Sequence, residues 1–174
     1  MSGVPGSLSG GAVPWRAIQV RSNLETRASE ILSQKGLDVW LPTYALRRRW
    51  SDRWKVVQSP LFPGYLFCRL NRDARLQVLA TPGLISVVSF GAELAVVDEA
   101  EIESIRAVCN SNLPYGPYPF LQEGRKVRVT GGPLQGLEGI VVRLKSRVQV
   151  VVGISLLQRA VAVELEREFV APVD

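Results

Sequence analysis

The segment NSNLPYGPYPF (residues 110–120) divides the sequence into two parts with different hydrophobic patterns. Its three prolines and one glycine stiffen the backbone and remove donors that a sheet needs. We therefore predict a proline-rich linker over residues 111–122, between one domain at 15–110 and another at 123–174. Residues 1–14 are small and turn-rich and lack the basic and apolar regions of a signal peptide, so we expect a disordered tail there.

The part before this segment alternates strand and helix patterns. Apolar stretches typical of strands occur at WRAIQV (15–20), LDVWLPTY (37–44), PGYLFCRL (63–70) and LISVVSFG (84–91). Helix patterns occur at SNLE (22–25), which is typical of a capping box, and at NRDARLQVLATPG (71–83) and DEAEIESIRAVC (98–109). The order predicts an α+β sandwich in which helices pack on a face of one antiparallel sheet.

The part after the segment has only strand patterns. Five short valine-rich stretches, KVRVTGG, LEGIVVRLK, RVQVVVG, RAVAVEL and EFVAPV, are separated by glycines or charged residues. Five strands in about 50 residues favour a small closed barrel, because closure removes the exposed sheet edges. The strong β preference of the valine runs leads us to expect a stable all-β domain that does not refold.

Composition narrows the classes of function. The 174 residues carry a net charge of +5 with pI near 9.6, which favours an acidic partner such as nucleic acid. The absence of histidine removes the commonest catalytic base and metal ligand, so we expect no enzyme, no metal site and no cofactor. Two cysteines form neither a disulfide framework nor a metal-ligand set, and no apolar run is long enough for a membrane span. We expect a monomeric cytoplasmic protein that does not act at a membrane.

The stretch RRRWSDRWK (47–55) concentrates five cations and two tryptophans in nine residues. Guanidinium groups pair with phosphates and indoles stack on unpaired bases, so this composition suits a nucleic-acid surface. A charged stretch can equally be an ordinary solvated face. In that alternative the tryptophans cover the end of the sheet, with Asp52 bridging to Arg53 across a turn. We expect at least one of Trp50 and Trp54 to have this structural role.

The chain resembles the NusG family along nearly its whole length. Trp15 and FPGYLF (62–67) are similar to the NusG N-terminal domain, and VRVTGGPLQGLEGIVV (127–142) is similar to the SH3-like KOW barrel. The combination of RRRWSDRWK, PLFPGYLF and SLLQRAVAVELE (155–166) most resembles the specialised paralogues of capsule and exopolysaccharide operons, of the UpxY and RfaH type. This resemblance implies a transcription elongation or antitermination factor. The alternative is a ribosome-associated or general RNA-binding KOW protein, whose key residues would lie in 125–166.

The resemblance implies a polymerase-binding surface in the N-terminal domain. It would bind the clamp helices of the largest RNA polymerase subunit through Phe62, Pro63, Tyr65 and Trp15. Aromatic side chains that insert between helices are typical of interface hot spots. These residues can instead belong to the core, because Tyr65 and Phe67 alternate with Leu66 and Cys68 along a strand, and one of these two pairs must lie inside. We favour the interface for Phe62 and Tyr65, and leave both readings open for Trp15.

The resemblance also implies nucleic-acid and further protein contacts. The predicted hairpin would lie near upstream or non-template DNA, with contacts from Arg47, Arg48, Arg49, Trp50, Arg53, Trp54 and Lys55. At the start of the first helix, Arg21, Asn23 and Arg27 are lesser candidates for reading bases. In the KOW domain, Leu156, Leu157 and Arg159 would contact ribosomal protein S10 or termination factor Rho. Leu157 and Gln158 replace the Phe-Gly pair that is usual in NusG, which argues against Rho and leaves ribosome binding open.

Overall fold

The computed structural model describes residues 13–174, so nearly all of the predicted tail lies outside the described residues. In chain order, the first part contains β1 (Trp15–Val20), α1 (Glu25–Gln34), β2 (Asp38–Trp40), β3 (Thr43–Trp50), β4 (Arg53–Pro60), β5 (Tyr65–Arg69), α2 (Arg75–Leu79), β6 (Leu84–Val87), β7 (Ser89–Phe90), β8 (Glu93–Leu94) and α3 (Glu99–Cys109). The second part contains β9 (Tyr115–Pro119), β10 (Lys126–Val129), β11 (Glu138–Arg143), β12 (Arg147–Ile154), β13 (Arg159–Glu166) and β14 (Val170–Pro172).

The main sheet of the first part has the strand order β2-β5-β1-β6, with antiparallel neighbours. Alternation along β1 sends Trp15 and Ala17 to one face and Ile18 and Val20 to the other. Helices α1 and α2 pack on the second face, and α3 packs on the first. The prediction of an α+β sheet with helices is confirmed. The prediction that helices pack on a single face of the sheet is wrong, because both faces of β1 are apolar and each must be covered.

The predicted capping box at the start of α1 is wrong. No side chain caps this helix, and the Glu25 side chain is buried. Its Oε2 accepts a hydrogen bond of 3.1 Å from the Gly64 amide, which belongs to the turn before β5. A buried carboxylate needs such a donor, so Glu25 positions this turn and leaves the helix end uncapped. In α3, by contrast, Asp98 Oδ1 accepts from the Ala100 amide at 2.8 Å and caps the helix.

The second part is a six-stranded antiparallel sheet with the order β14-β10-β11-β12-β13-β9. All five predicted strands are present. Within residues 13–174 the sheet ends at β14 on one side and at β9 on the other, so closure into a KOW barrel stays a prediction. The longest ladder joins β12 to β13, where Arg147 pairs with Glu166 at one end and Ile154 with Arg159 at the other.

The sixth strand, β9, comes from the segment predicted as a linker. We expected its prolines to prevent sheet pairing, and this is wrong: Tyr115–Pro119 pairs with β13. Because β9 is an edge strand, only one side of it donates to a neighbour. Pro117 and Pro119 are two residues apart, so their nitrogens fall on the same side of the strand and none of the paired donors is lost. The domain boundaries drawn at residues 111–122 remain a prediction.

One apolar cluster joins the two parts. It contains Trp15, Phe62 and Phe67 of the first part and Val150, Val152 and Val161 of the second. Helix α3 contributes Ile102, Ile105 and Val108, all fully buried, as its apolar stripe predicts. No helix among residues 13–174 is long and apolar enough to span a membrane.

Candidate functional site

A two-stranded ribbon formed by β3 and β4 carries the predicted nucleic-acid residues. Pairing runs from Thr43 with Pro60 at the base to Trp50 with Arg53 at the tip. Ser51 and Asp52 make the two-residue turn, in which Ser51 adopts φ +49°, as tight hairpin turns require. Residues 47–56 are all exposed. The ribbon therefore presents both of its faces to solvent near the tip.

Each face of the ribbon carries one tryptophan. Trp50 is 55% exposed and Trp54 is 58% exposed. The prediction that one of them covers the end of the sheet is therefore wrong. The sequence could not reveal this, because it does not show that the ribbon extends beyond the sheet it follows. Both indoles have a free surface on which a base can stack.

Cations flank both indoles. The Arg47 guanidinium lies 5.0 Å from the Trp54 ring centroid on one face, and Lys55 Nζ lies 5.3 Å from the Trp50 ring on the other. These distances suit cation–π contacts. Asp52 makes no ion pair among the residues that the structure describes, so the predicted bridge to Arg53 is wrong. The acidic group at the tip does not neutralise the ribbon's cations by direct pairing.

A groove of about 280 Å³ separates the Trp50 face of the ribbon from the start of α1. Arg48 and Trp50 line it on the ribbon side, together with Gln58, and Asn23 and Thr26 line it on the helix side. Carboxamide groups can pair with base edges. Of the three helix residues predicted to read bases, the structure brings Asn23 to the ribbon. Arg21 and Arg27 are exposed and do not line this groove.

Three of the four predicted polymerase-binding residues form the turn that leads into β5: Phe62, Pro63 and Tyr65. The Tyr65 amide donates to the Phe62 carbonyl at 3.0 Å, and Gly64 adopts φ +85°. Proline at the second position and glycine at the third fit a type II turn. Pro63 is exposed and Tyr65 is half-buried. Phe62 is buried and packs edge to face on Phe67, with 5.7 Å between ring centroids.

Trp15 is a core residue in this arrangement. It is 1% exposed and lies below two guanidinium groups, 4.5 Å from Arg69 and 5.6 Å from Arg106. Its Nε1 has no hydrogen-bond partner within residues 13–174. Trp15 lies opposite Arg69, at the end of β1 away from the turn. Phe62 supports the turn from inside, in the core and not at the interface that we favour for it from the sequence. Pro63 and Tyr65 are the members of the predicted set that reach the surface.

The predicted partner-binding turn of the second part lies against this same surface. Arg159 Nη1 donates to the Pro63 carbonyl at 3.1 Å, and its guanidinium carbon lies 5.1 Å from the Tyr65 ring centroid. Leu156 and Leu157 are half-buried and pack against the shared apolar cluster. The two segments predicted to bind different partners therefore contact each other.

A carboxylate on α3 fixes the same turn. Glu101 Oε2 accepts hydrogen bonds from the Ser155 amide at 2.9 Å and from the Ser155 hydroxyl at 2.7 Å. Charge-assisted hydrogen bonds of this kind are stronger than neutral ones. Sequence reasoning missed Glu101, because a glutamate on an amphipathic helix has the pattern of an ordinary solvent-facing charge. No local signal identified Ser155 as its partner.

A tyrosine ties β9 to the base of the ribbon. The Tyr115 hydroxyl donates to the Thr43 carbonyl at 2.7 Å. Burial raises the pKa of Tyr115 to about 12, with a smaller contribution from its neighbour Cys109.

Burial also raises the pKa of the Cys109 thiol, and it raises the pKa of Cys68 to about 12. Both thiols are therefore protonated near neutral pH and are poor nucleophiles. Among residues 13–174, no three His, Cys, Asp or Glu side chains group as metal ligands do.

Comparisons with known proteins agree with this architecture. The family model described as "Transcription termination factor nusG" matches residues 14–106. The transcription termination/antitermination protein NusG of Thermus thermophilus is 29% identical over 162 residues, covering 85% of this chain and 88% of that protein. The protein of the same name from Borreliella burgdorferi is 21% identical over 182 residues, covering 91% and 98%.

A solved structure has a similar fold. It is described as "Domain interaction in Thermotoga maritima NusG" and superposes with a TM-score of 0.59 at 20% identity, over 92% of this chain and 97% of that one. The family model covers more than half of the 174 residues. The chain therefore belongs to the NusG family of transcription termination and antitermination factors.

Proposed function

We propose that this protein is an antitermination factor that binds the clamp helices of the largest RNA polymerase subunit and serves dedicated operons. Its ribbon contacts upstream or non-template DNA. A factor that binds the elongating state of the polymerase better than the paused state shifts the equilibrium toward elongation by that difference in affinity. Membership of the NusG family supports the transcriptional role, and the ribbon supports the contact with DNA.

The observation that carries the proposal is the exposure of both ribbon tryptophans beside flanking cations. Stacking of a base on an aromatic side chain contributes about 1–3 kcal/mol, and each phosphate contact adds a salt-dependent term. An unpartnered indole in water has no comparable benefit for folding. The two faces near the tip thus have the composition of a single-strand binding surface.

The polymerase surface is the turn that contains Pro63 and Tyr65. Its aromatic ring and fixed backbone suit insertion between helix ridges. In the arrangement described above, Arg159 covers this turn. Binding to the clamp helices therefore requires the second part of the chain to move away, and the affinity is reduced by the free energy of that separation.

The same separation would expose the turn that carries Leu156, Leu157 and Arg159. An apolar pair beside a cation is a small protein-binding surface, for which ribosomal protein S10 and Rho are the candidate partners. Since the turn is occupied by the first part of the chain, we propose that its partner binds after the polymerase does. This order would confine the second contact to transcribing complexes.

Operon specificity is supported by the groove between the ribbon and α1. Asn23 lines the same groove as the exposed Trp50, so a base stacked on that indole has a carboxamide donor and acceptor within the groove. Genome-wide occupancy of the tagged protein tests this part. Enrichment at a few operons is expected, and uniform occupancy would contradict it.

Capture of the polymerase tests the main proposal. The full chain is expected to retain a fragment containing the clamp helices, and a Tyr65→Ala variant is expected to lose most of that binding. Tyr118→Ala is a matched control, because Tyr118 lies on β9 and contacts a separate apolar cluster. Unchanged capture by Tyr65→Ala would reject the polymerase surface. Tight RNA binding without polymerase, lost on substitution within residues 125–166 and not in the ribbon, would favour the general RNA-binding alternative.

A further inference from the structure

A small cleft opens in the sheet of the second part, among β10, β11, β12 and β14. Its apolar wall includes Val127, Val141 and Val148, and three arginines, Arg125, Arg143 and Arg167, also line it. The volume is about 190 Å³. No acidic residue lines the cleft, so an apolar wall and unopposed positive charge occur at one place.

The arginines differ in how they are held. Arg167 Nη2 donates to the Leu144 carbonyl at 2.7 Å and to the Lys145 carbonyl at 3.0 Å, which fixes this guanidinium beside the turn between β11 and β12. Arg125 and Arg143 have no side-chain hydrogen bond or ion pair to any residue from 13 to 174. Two guanidinium groups are therefore available to carboxylates, which they can bind in bidentate fashion.

Nearby carboxylates do not satisfy these arginines. Glu164 and Glu166 lie 3.9 Å and 3.5 Å from Arg147, which does not line the cleft. Glu138 pairs with Arg128 on the opposite side of its strand pair. The positive charge at the cleft is thus left without an internal partner, as expected of a surface that meets an external anion.

Size and lining indicate what kind of anion fits. Cofactor and drug-sized ligands occupy about 300–1,000 Å³, so the cleft accommodates a single side chain better than a nucleotide. It has no aromatic residue on which a base could stack. Valine walls between arginines suit an aliphatic side chain flanked by carboxylates. The lining therefore favours an acidic peptide over RNA.

The position of the cleft separates it from the turn that contacts the first part. Val148 lies at the start of β12, whereas the Ser155–Leu157 turn follows its end. At about 3.4 Å per residue, these points are roughly 20 Å apart. The cleft is therefore open while Arg159 and Glu101 hold the two parts together.

We propose that this cleft binds an acidic segment of a partner protein through one aliphatic anchor residue, whether or not the two parts of the chain are joined. Arg125 and Arg143 bind the carboxylates, and the valines contact the anchor. The site is distinct from the 155–159 turn and does not depend on the function proposed above for that turn.

Fluorescence anisotropy with the full chain tests this site. The probe is a fluorescein-labelled peptide with acidic residues on both sides of a single leucine. Arg125→Glu with Arg143→Glu is expected to weaken binding by at least about tenfold through like-charge repulsion. Lys126→Glu with Arg75→Glu is a matched control with the same charge change, since neither residue lines the cleft. Replacing the peptide leucine by serine is expected to weaken binding about tenfold as well.

The outcomes separate the alternatives. Equal loss of peptide affinity in the control and cleft variants would show that net charge alone causes the effect, and it would overturn the proposal. A cleft variant that loses affinity for a single-stranded RNA of equal charge but keeps its affinity for the peptide would also overturn it, in favour of a nucleic-acid site. If the serine replacement leaves peptide binding unchanged, the proposed role of an aliphatic anchor residue is overturned. Peptide binding that is retained in Glu101→Ala, which removes the two hydrogen bonds to Ser155, would support a site independent of that contact, and loss of binding in this variant would contradict that independence.

Discussion

The guanidinium of Arg159 lies over the ring of Tyr65, with 5.1 Å between the guanidinium carbon and the ring centroid. The two residues come from different parts of the chain, and each lies in a segment that resembles a partner-binding segment of the NusG family. A cation–π contact at a partly exposed site contributes about 0.5–1 kcal/mol. This contact is weak by itself, and separation of the two parts must also expose the apolar cluster that they share.

Loss of the Glu101 carboxylate should favour separation of the two parts. Glu101→Ala removes both hydrogen bonds to Ser155, each worth about 1.5–3 kcal/mol for a charged acceptor and less where solvent competes. We expect several-fold tighter binding to a clamp-helix fragment in biolayer interferometry. Glu103→Ala is the matched control, since Glu103 is an exposed glutamate of the same helix. Equal behaviour of the two variants would show that Glu101 does not hold the domains together.

Removal of either ribbon tryptophan should weaken single-strand binding without unfolding the protein. We expect Trp50→Ala and Trp54→Ala each to cost about 1–3 kcal/mol of affinity for an oligothymidine, measured by anisotropy. Because both indoles are more than half exposed, thermal unfolding should change little. Phe90→Ala is the control, since Phe90 is an exposed aromatic residue away from the ribbon. A large fall in melting temperature would restore the structural role that we reject here.

The ribbon arginines should control the salt dependence of that binding. An Arg49→Ala variant is expected to lower the slope of log K against log salt by about 0.7, the value for one single-strand phosphate contact. Arg75→Ala removes an exposed arginine from α2 and should leave the slope unchanged. Affinities measured across a salt series give both slopes. Equal slopes for wild type and Arg49→Ala would remove Arg49 from the phosphate contacts.

Truncation of Phe62 should test folding more than binding. Phe62 is 1% exposed and packs on Phe67, so Phe62→Ala is expected to destabilise the protein by about 3–5 kcal/mol in urea unfolding. Pro63→Ala alters the exposed neighbour and should cost much less. Loss of polymerase binding by Phe62→Ala is thus uninformative unless stability is measured alongside. A small loss of stability would indicate that Phe62 is not part of the core.

Stability should fall at alkaline pH through Tyr115. Its folded-state pKa is about 12, above the ordinary value of 10.0, because burial disfavours the phenolate. The folded state then binds more protons than the unfolded state between about pH 10 and 12, so its stability falls as pH rises through this window. Tyr115→Phe should flatten this fall and remove the hydrogen bond to the Thr43 carbonyl. Denaturant unfolding at several alkaline pH values measures both effects, and an unchanged pH dependence in the variant would contradict the assignment.

Local patterns in the sequence predicted much of the secondary structure. The spacing of Ile102, Ile105 and Val108 within DEAEIESIRAVC identified α3 and its buried face. The five valine-rich strands of the second part were also predictable, since each stretch is short, apolar and bounded by turn residues. These features depend on neighbours within a few residues, which a periodicity records directly.

Errors arose where distant residues decide the outcome. Glu25 has the spacing of a capping residue, but the Gly64 amide takes its carboxylate. Pro117 and Pro119 resemble linker prolines, but their strand lies at the edge of a sheet that does not need their donors. Trp50 and Trp54 were divided between structural and binding roles, but the ribbon exposes both. In each case the local pattern fits two environments equally well.

Family resemblance, most of the strands and helices, and the concentration of positive charge in one hairpin are all visible in the sequence. The contact between the two predicted binding segments and the exposure of both ribbon faces appear only in the folded chain. The same is true of the cleft where three arginines separated along the chain meet. Periodicity reports which residues are buried, whereas the partner of a buried or charged group depends on contacts across long sequence separations. The hydrogen bond between Arg159 and the Pro63 carbonyl spans 96 residues, and no local pattern encodes such a contact.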